Sequence, residues 1–298
     1  MPHPILLTGA AGKTGRAILR ALVDRGQPVR AFVRRGEQAQ AVREAGAADV
    51  VVGDLQDAGA VARAMRSVTA VYHVCPNVSP DEVTIGQAVI TAARTVGVER
   101  FVYHSVLHPQ VEAMPHHWLK LRVEELLFAS GLPFTILQPC AYMQNILANW
   151  GQIVETGVYP VPYRVEARLS IVDLDDVAKA AAIVLTEPGH AGAIYELAGP
   201  EPLSQVEVAA LLARQIGRPV RAEVTSLDAW ERRARAGGMG EYAVATLLAM
   251  FRYYDRHGLV GNGRVLGWLL GRPPTTFAEF LAATFGREIE LTPVQAAV

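Results

Sequence analysis

The chain has little of several things, and each shortage removes a class of protein. Two of its 298 residues are cysteine, Cys75 and Cys140. That is too few for a disulfide framework, and a reducing, cytoplasmic setting suits them. Only Lys13, Lys120 and Lys179 are lysines among 28 basic residues, an arginine excess that reflects genome composition rather than a basic patch. The formal net charge is −1, so no overall field draws in nucleic acid or an anionic membrane. The longest apolar runs, such as residues 180–185, fall far short of the ~20 residues that cross a bilayer. No basic stretch followed by a long apolar one opens the chain, so no signal peptide is expected. No linker rich in Pro, Gly or Ser and no internal repeat appears. What remains is a chain 51% hydrophobic, long enough for one large domain or two modest ones. Its expected partner is a small molecule, with a homodimer left open.

The informative stretch begins at residue 5. Ile5-Leu6-Leu7 is a short apolar run that reads as a buried strand. Gly9, Gly12 and Gly15 follow in the spacing G-x-x-G-x-x-G, and Ala17, Ile18, Ala21 and Leu22 then fall at helical spacing. Strand, tight turn and helix in that order make a phosphate cradle. Glycines let the backbone approach a pyrophosphate, and the unpaired amides at the helix start supply donors and partial positive charge. Thr8, Lys13 and Thr14 lie in the same loop. A glycine-rich turn with no ligand is the plain alternative, and the flanking strand and helix weigh against it.

The first half goes on alternating. Strands are expected at residues 29–33, 49–52, 70–74, 101–103 and 134–137. Helices are expected at 38–44, 61–68, 85–92 and 116–129. Regular alternation means parallel strands with right-handed crossovers. The fold class is therefore α/β, a Rossmann-type doubly wound parallel sheet in the order 3-2-1-4-5-6. After Pro139 the rhythm loosens. Residues 141–156 read as one helix stopped by Gly157. A short strand at 171–172 precedes a helix capped by Asp173 and running to residue 185, and 193–197 reads as a strand. Ser204–Glu207 and Thr276–Glu279 are capping boxes, the first opening a helix to residue 216. Residues 220–224 suggest a strand and 241–256 a helix. Residues 1–150 thus form the dinucleotide-binding domain. Residues 151–298 form a smaller, mostly helical substrate lobe, interleaved with it, in which about 171–199 returns to the first domain.

After the second strand, Val33-Arg34-Arg35-Gly36 replaces the acidic residue that holds a ribose 2′-hydroxyl in many NAD-specific folds. Two guanidiniums suit a 2′-phosphate, with Lys13 as a third cation. This favours NADP(H) over NAD(H), although either arginine could be a solvated loop charge. Asp54, ahead of Leu55, could accept from the adenine amino group or cap a helix. At the ends of the fourth to sixth strands, Cys75-Pro76, His104-Ser105 and Pro139-Cys140-Ala141 meet over the nicotinamide end. Cys75 and Cys140 lie two strand spacings apart, roughly 9.5 Å, beyond disulfide reach. A metal held by Cys75, His104 and Cys140 lacks paired ligand spacing, as do His108, His116 and His117, so no metal is expected. Lys120, on an amphipathic helix, could hold ribose hydroxyls or stabilise charge on a substrate oxygen. A surface lysine is the plain alternative.

The chain resembles the NmrA-like atypical short-chain dehydrogenases/reductases. The resemblance rests on the Gly9–Gly15 loop, Val29-Arg30-Ala31-Phe32-Val33-Arg34, Gly53-Asp54-Leu55 and Phe101-Val102-Tyr103-His104-Ser105. It continues through residues 120–125, 130–139, Tyr142-Met143-Gln144-Asn145, 173–178 and 195–199, and weakens beyond about residue 218. The family includes NADPH-dependent quinone and dye reductases, plant ether and isoflavone reductases, and dinucleotide-sensing regulators without turnover. One departure matters. Short-chain dehydrogenases usually carry Tyr-x-x-x-Lys, but His116 stands four residues before Lys120. Quinone reduction tolerates the loss, because an electron-poor ring accepts hydride without a strongly placed acid. His116 could act as the acid or stand by. The expectation is an NADPH-dependent oxidoreductase passing hydride directly to a quinone-like or conjugated molecule. Lys120, Ser105 and His116 are its catalytic candidates. Thr8, Gly9, Gly12, Lys13, Thr14, Gly15, Arg34, Arg35, Asp54, Leu55, Cys75, Lys120 and Pro139 would contact the cofactor. Tyr142, Met143 and Asn145, with part of residues 241–254, would wall the pocket. Two alternatives use the same cradle: a regulatory NADP(H) sensor with a protein partner, and an epimerase or ether reductase.

Overall fold

A computed structural model describes residues 3–286. Six strands, β1 (Ile5–Leu7), β2 (Val29–Val33), β3 (Asp49–Val52), β4 (Ala70–His73), β5 (Arg100–His104) and β6 (Phe134–Pro139), alternate with five helices. The helices are α1 (Lys13–Asp24), α2 (Gln38–Glu44), α3 (Ala58–Ala64), α4 (Glu82–Val96) and α5 (Pro115–Phe128). The second half holds β7 (Ala141–Tyr142), α6 (Trp150–Thr156), β8 (Val158–Val161), β9 (Leu169–Val172), α7 (Leu174–Thr186), β10 (Ile194–Leu197), β11 (Pro202–Leu203), α8 (Gln205–Ile216) and β12 (Arg221–Val224). The helices α9 (Leu227–Ala236), α10 (Glu241–His257), α11 (Gly263–Leu270) and α12 (Phe277–Phe285) follow.

The main sheet runs β3-β2-β1-β4-β5-β6-β10, every pairing parallel. The expected order is present, with β10 added beyond β6 as a seventh strand. Side chains alternate across this sheet because the strand period is two. Ile5 and Leu7 enter one buried cluster with α1 and α7, while Leu6 enters the other with α3 and α4. Tyr72 and Tyr103 part in the same way, Tyr72 to the first face and Tyr103 to the second. A third cluster, built from Met143, Ile153, Leu212, Phe277 and Leu281 among others, holds the second half together. A three-stranded sheet, β11-β9-β7, and the parallel pair β12-β8 complete the fold.

The single helix expected over residues 141–156 is not present. Ala141 and Tyr142 extend as β7 against β9, Met143–Asn149 forms a 3-10 helix, and only Trp150–Thr156 is α-helical. The helical spacing of that stretch was real but shared with a competitor. Pairing with Ile171 and Val172 supplies backbone partners that draw the first two residues into a strand. Gly157 stops α6 in the left-handed region, at φ 69°.

Candidate active site

The order of the main sheet turns back between β1 and β4, and ligands of such sheets sit at the carboxyl ends on either side of that switch. There the structure has a cleft of about 1510 Å³, above the ~300–1,000 Å³ of a drug-sized site. It has room for a dinucleotide and a second molecule together.

The glycine loop forms one wall of the cleft, and its three glycines have different reasons. Gly9 turns at φ 62°, and a Cβ there would lie 2.9 Å from the Val74 carbonyl oxygen, at the end of β4. Gly15 is tighter still, since its Cβ would meet the Gly9 carbonyl oxygen at 2.2 Å. The loop is folded onto the start of α1 so closely that only hydrogen fits. Gly12 caps α1 with backbone alone, since no side chain caps this helix. The first amides of a helix have no partner within it, so they face the cleft as a ready anion site. These observations fit a dinucleotide pyrophosphate.

The other expected contacts separate on inspection. Lys13, Thr14, Arg34, Asp54, Leu55, Cys75, Lys120 and Pro139 line the cleft. Thr8 does not. It is buried, its hydroxyl donates to the Val74 carbonyl and accepts from the Val74 amide, and so it ties β1 to β4. Arg35 turns to Glu37 at 2.9 Å and is absent from the cleft wall. Arg34 stays there, its side chain 78% exposed and 3.3 Å from Asp54. Asp54 also accepts from the Gln56 amide, while the cap of α3 is Asp57. Lys13 donates to Asn145 at 2.7 Å, and burial lowers its pKa from the usual lysine value.

Lys120 has a partner that spacing alone could not reveal. Its ammonium sits 3.0 Å from the buried Glu82 carboxylate and 3.2 Å from the His104 carbonyl oxygen. Tyr103 donates to the same carboxylate at 2.7 Å. Burial works to raise the Glu82 pKa, but Lys120 and the Tyr103 hydroxyl outweigh it and hold the carboxyl below its ordinary value. Glu82 opens α4 and Lys120 lies on α5, 38 residues later, so only the packing of the two helices joins them.

Two catalytic candidates read differently in three dimensions. The Ser105 hydroxyl, at the end of β5, donates to the buried Glu124 carboxylate. Its one proton is therefore committed away from the cleft. Gln138 donates to Glu124 as well, and burial nonetheless raises that carboxyl above its usual pKa. His116 does line the cleft, but burial, with Lys120 adding to it, lowers its imidazole to about 4. Burial therefore works against the ordinary histidine pKa on which the reading of His116 as the acid rested.

His104 is more than a polar lining. Its Nδ1 meets the Tyr72 hydroxyl at 2.7 Å and its Nε2 meets the Tyr142 hydroxyl at 2.7 Å. With both nitrogens taken, it has no lone pair for a metal shared with Cys75 and Cys140. Both cysteines are free and buried. Among the described residues, no cluster of His, Cys, Asp and Glu is placed to hold a metal ion, and no helix is long and apolar enough to cross a membrane.

Tyr142, Met143 and Asn145 all border the cleft, as do Trp230, Tyr163, Met250, Phe251 and Tyr254 farther along it. Trp230 meets Phe251 edge to face at 4.8 Å, and Tyr163 meets Tyr254 at 5.8 Å. These rings build an aromatic chamber. Of the C-terminal aromatics, Trp268 is 74% exposed and stands apart from it.

The family model of the NmrA-like family matches residues 1–288. The chain is 33% identical to an NAD(P)H azoreductase of Xenophilus azovorans, over 95% of this chain and 99% of that protein. It is 34% identical to a (4-alkanoyl-5-oxo-2,5-dihydrofuran-3-yl)methyl phosphate reductase of Streptomyces griseus, over 93% and 96%. The crystal structure of an NADPH-dependent quinone oxidoreductase from Escherichia coli in complex with NADPH superposes with a TM-score of 0.83 at 28% identity, covering 94% of this chain and 99% of that one. With the glycine cradle, the seven-stranded parallel sheet and a match along nearly its whole length, this chain belongs to the NmrA-like family.

Proposed function

We propose that the protein is an NADPH-dependent reductase of quinone-like, azo or otherwise conjugated aromatic molecules. The observation that carries this reading is the continuity of the cleft. An anion-binding helix start and the exposed Arg34 stand at one side, and a chamber of aromatic rings lies farther along. The relatives support it, since one is named for NAD(P)H-dependent azo reduction and another for NADPH-dependent quinone reduction.

The cofactor, when bound, supplies hydride to the acceptor. The protein supplies the rest. Backbone amides of residues 13–15, which open α1, take the pyrophosphate. Arg34 takes the 2′-phosphate. Its contact to Asp54 is long and exposed, so little is lost when the guanidinium turns to a dianion. Lys120, held by Glu82 and the His104 carbonyl, presents a fixed positive charge to the cleft. It orients ribose hydroxyls or stabilises negative charge developing on the acceptor. The aromatic chamber stacks a flat acceptor.

The test is oxidation of NADPH, against NADH, over a panel of quinones, azo dyes and enones. Steady turnover with NADPH preferred is the expected result. Tight NADPH binding without turnover of any acceptor would shift the reading to a dinucleotide sensor, and absence of binding would remove both.

A further inference from the structure

The reduction proposed above needs a proton as well as a hydride, and the usual tyrosine four residues before the lysine is missing. We propose that the Tyr142 hydroxyl is the proton donor, and that Tyr72, His104 and Thr14 are positioning residues that leave its proton directed into the cleft. The proposal rests on the reductase reading and adds to it the source of the proton.

Hydrogen-bond polarity carries the inference. Tyr72 is fully buried, on the face of the sheet packed with α1 and α7. Its hydroxyl meets His104 Nδ1 at 2.7 Å. Were Nδ1 the donor, the phenol proton would be left unpaired among apolar side chains, a costly arrangement. Tyr72 therefore donates and Nδ1 accepts. His104 is neutral, because burial, with Lys120 adding to it, lowers its pKa to about 3. A neutral ring carries one proton, so that proton sits on Nε2 and is donated to the Tyr142 oxygen at 2.7 Å. Thr14 Oγ1 donates to the same oxygen at 3.3 Å. The Tyr142 oxygen thus accepts twice, and its own proton is not called on by either neighbour. Tyr142 borders the cleft, and as donor it would direct that proton there.

The same arrangement suits the step. As hydride reduces the acceptor, an electron pair moves to its oxygen or nitrogen. A new O–H or N–H bond forms there while the Tyr142 O–H bond breaks. The phenolate is held by two donors, and the Lys13 ammonium lies 5.4 Å over its ring. Solvent entering the cleft returns the proton. Burial raises the Tyr142 pKa above that of a free phenol, so the resting group is protonated at neutral pH.

Tyr142→Phe tests this with two acceptors. A neutral enone or azo compound needs a proton, whereas a cationic triarylmethyl dye becomes neutral on taking hydride and needs none. The expected result is a fall of about a hundredfold in kcat with the neutral acceptor and a far smaller change with the dye, with NADPH affinity followed by titration. Tyr72→Phe leaves the cleft intact and guards against misfolding of the first variant. It should slow the neutral acceptor and spare the dye. Independently of turnover, 15N spectra of histidine-labelled protein should show His104 protonated at Nε2, with a mixed tautomer in Tyr72→Phe. Equal losses with both acceptors, a loss confined to NADPH affinity, or protonation at Nδ1 would each overturn the assignment. If the unaltered protein reduces neither acceptor, the reductase reading falls and the proton donor with it. If it reduces both and Tyr142→Phe does so equally well, only Tyr142 is wrong.

Discussion

Lys120 shows how much of a residue's meaning lies outside its neighbourhood in sequence. On its helix it reads as a charge beside an apolar stripe. In the fold it is the cation of a buried pair, with Glu82 side chain 4% exposed and Lys120 16%. A pair of this kind gives little net stability when whole and costs much when halved. Glu82→Ala should therefore lower unfolding free energy in urea by about 3 kcal/mol, and an unchanged midpoint would mean that Lys120 finds water instead. Arg34 is the opposite case, an exposed side chain whose one ion pair, to Asp54, is loose enough to give up. Arg34→Glu should reduce the preference for NADPH over NADH by at least about tenfold, ~1.4 kcal/mol, by placing like charge beside the 2′-phosphate. Comparing kcat/KM for the two cofactors checks it, and an undiminished preference would remove Arg34 from the site.

At the scale of elements, the site depends on how closely α4 and α5 approach. Gly86 of α4 lies against Val123 of α5, and a Cβ on Gly86 would come within 2.8 Å of both Val123 methyl groups. Valine in a helix has almost one rotamer, so the methyls cannot turn aside and the helices must part. Glu82 stands one turn before Gly86, and Lys120 one turn before Val123. Gly86→Ala is expected to destabilise the protein by about 1–3 kcal/mol and to lower turnover more than NADPH affinity. Equal stability and rate would show that the two helices have slack. The elements themselves were largely legible, because β-α alternation and capping boxes are local. Ser204 and Thr276 cap their helices as their spacing predicts, and Asp173 caps α7. The stretch from Ala141 to Asn149 was not legible, since its partner strand β9 begins 20 residues beyond it.

At the scale of the whole molecule, burial disfavours the charged form of four imidazoles. It lowers His73 and His116 to about 4, and His104 and His117 to about 3, from an ordinary 6.5. The unfolded chain takes up protons at these rings below about 6.5, while the native protein does not until pH nears 4. Between those values the unfolded state binds more protons, so stability falls as pH falls through this window. The melting temperature should drop between pH 7 and pH 5, above the ordinary carboxylate range. A flat profile there would mean that these rings titrate normally in the native state.

What depends on short spacing was legible in the chain alone: the glycine loop, the alternation of strands and helices, the order of the first six strands, and an arginine where an acid often stands. Such features are set within one turn or one crossover, so the chain spells them out locally. The polarity of the site arose only on folding. It gave Lys120 to Glu82, took Ser105 away to Glu124, turned Thr8 inward and Arg35 outward, and placed His104 between Tyr72 and Tyr142. Each of these pairings joins residues from separate elements or depends on which way a side chain leaves its loop. Where a proton or a charge resides depends on burial and on partners within about 3 Å, and those distances exist only once the chain has folded.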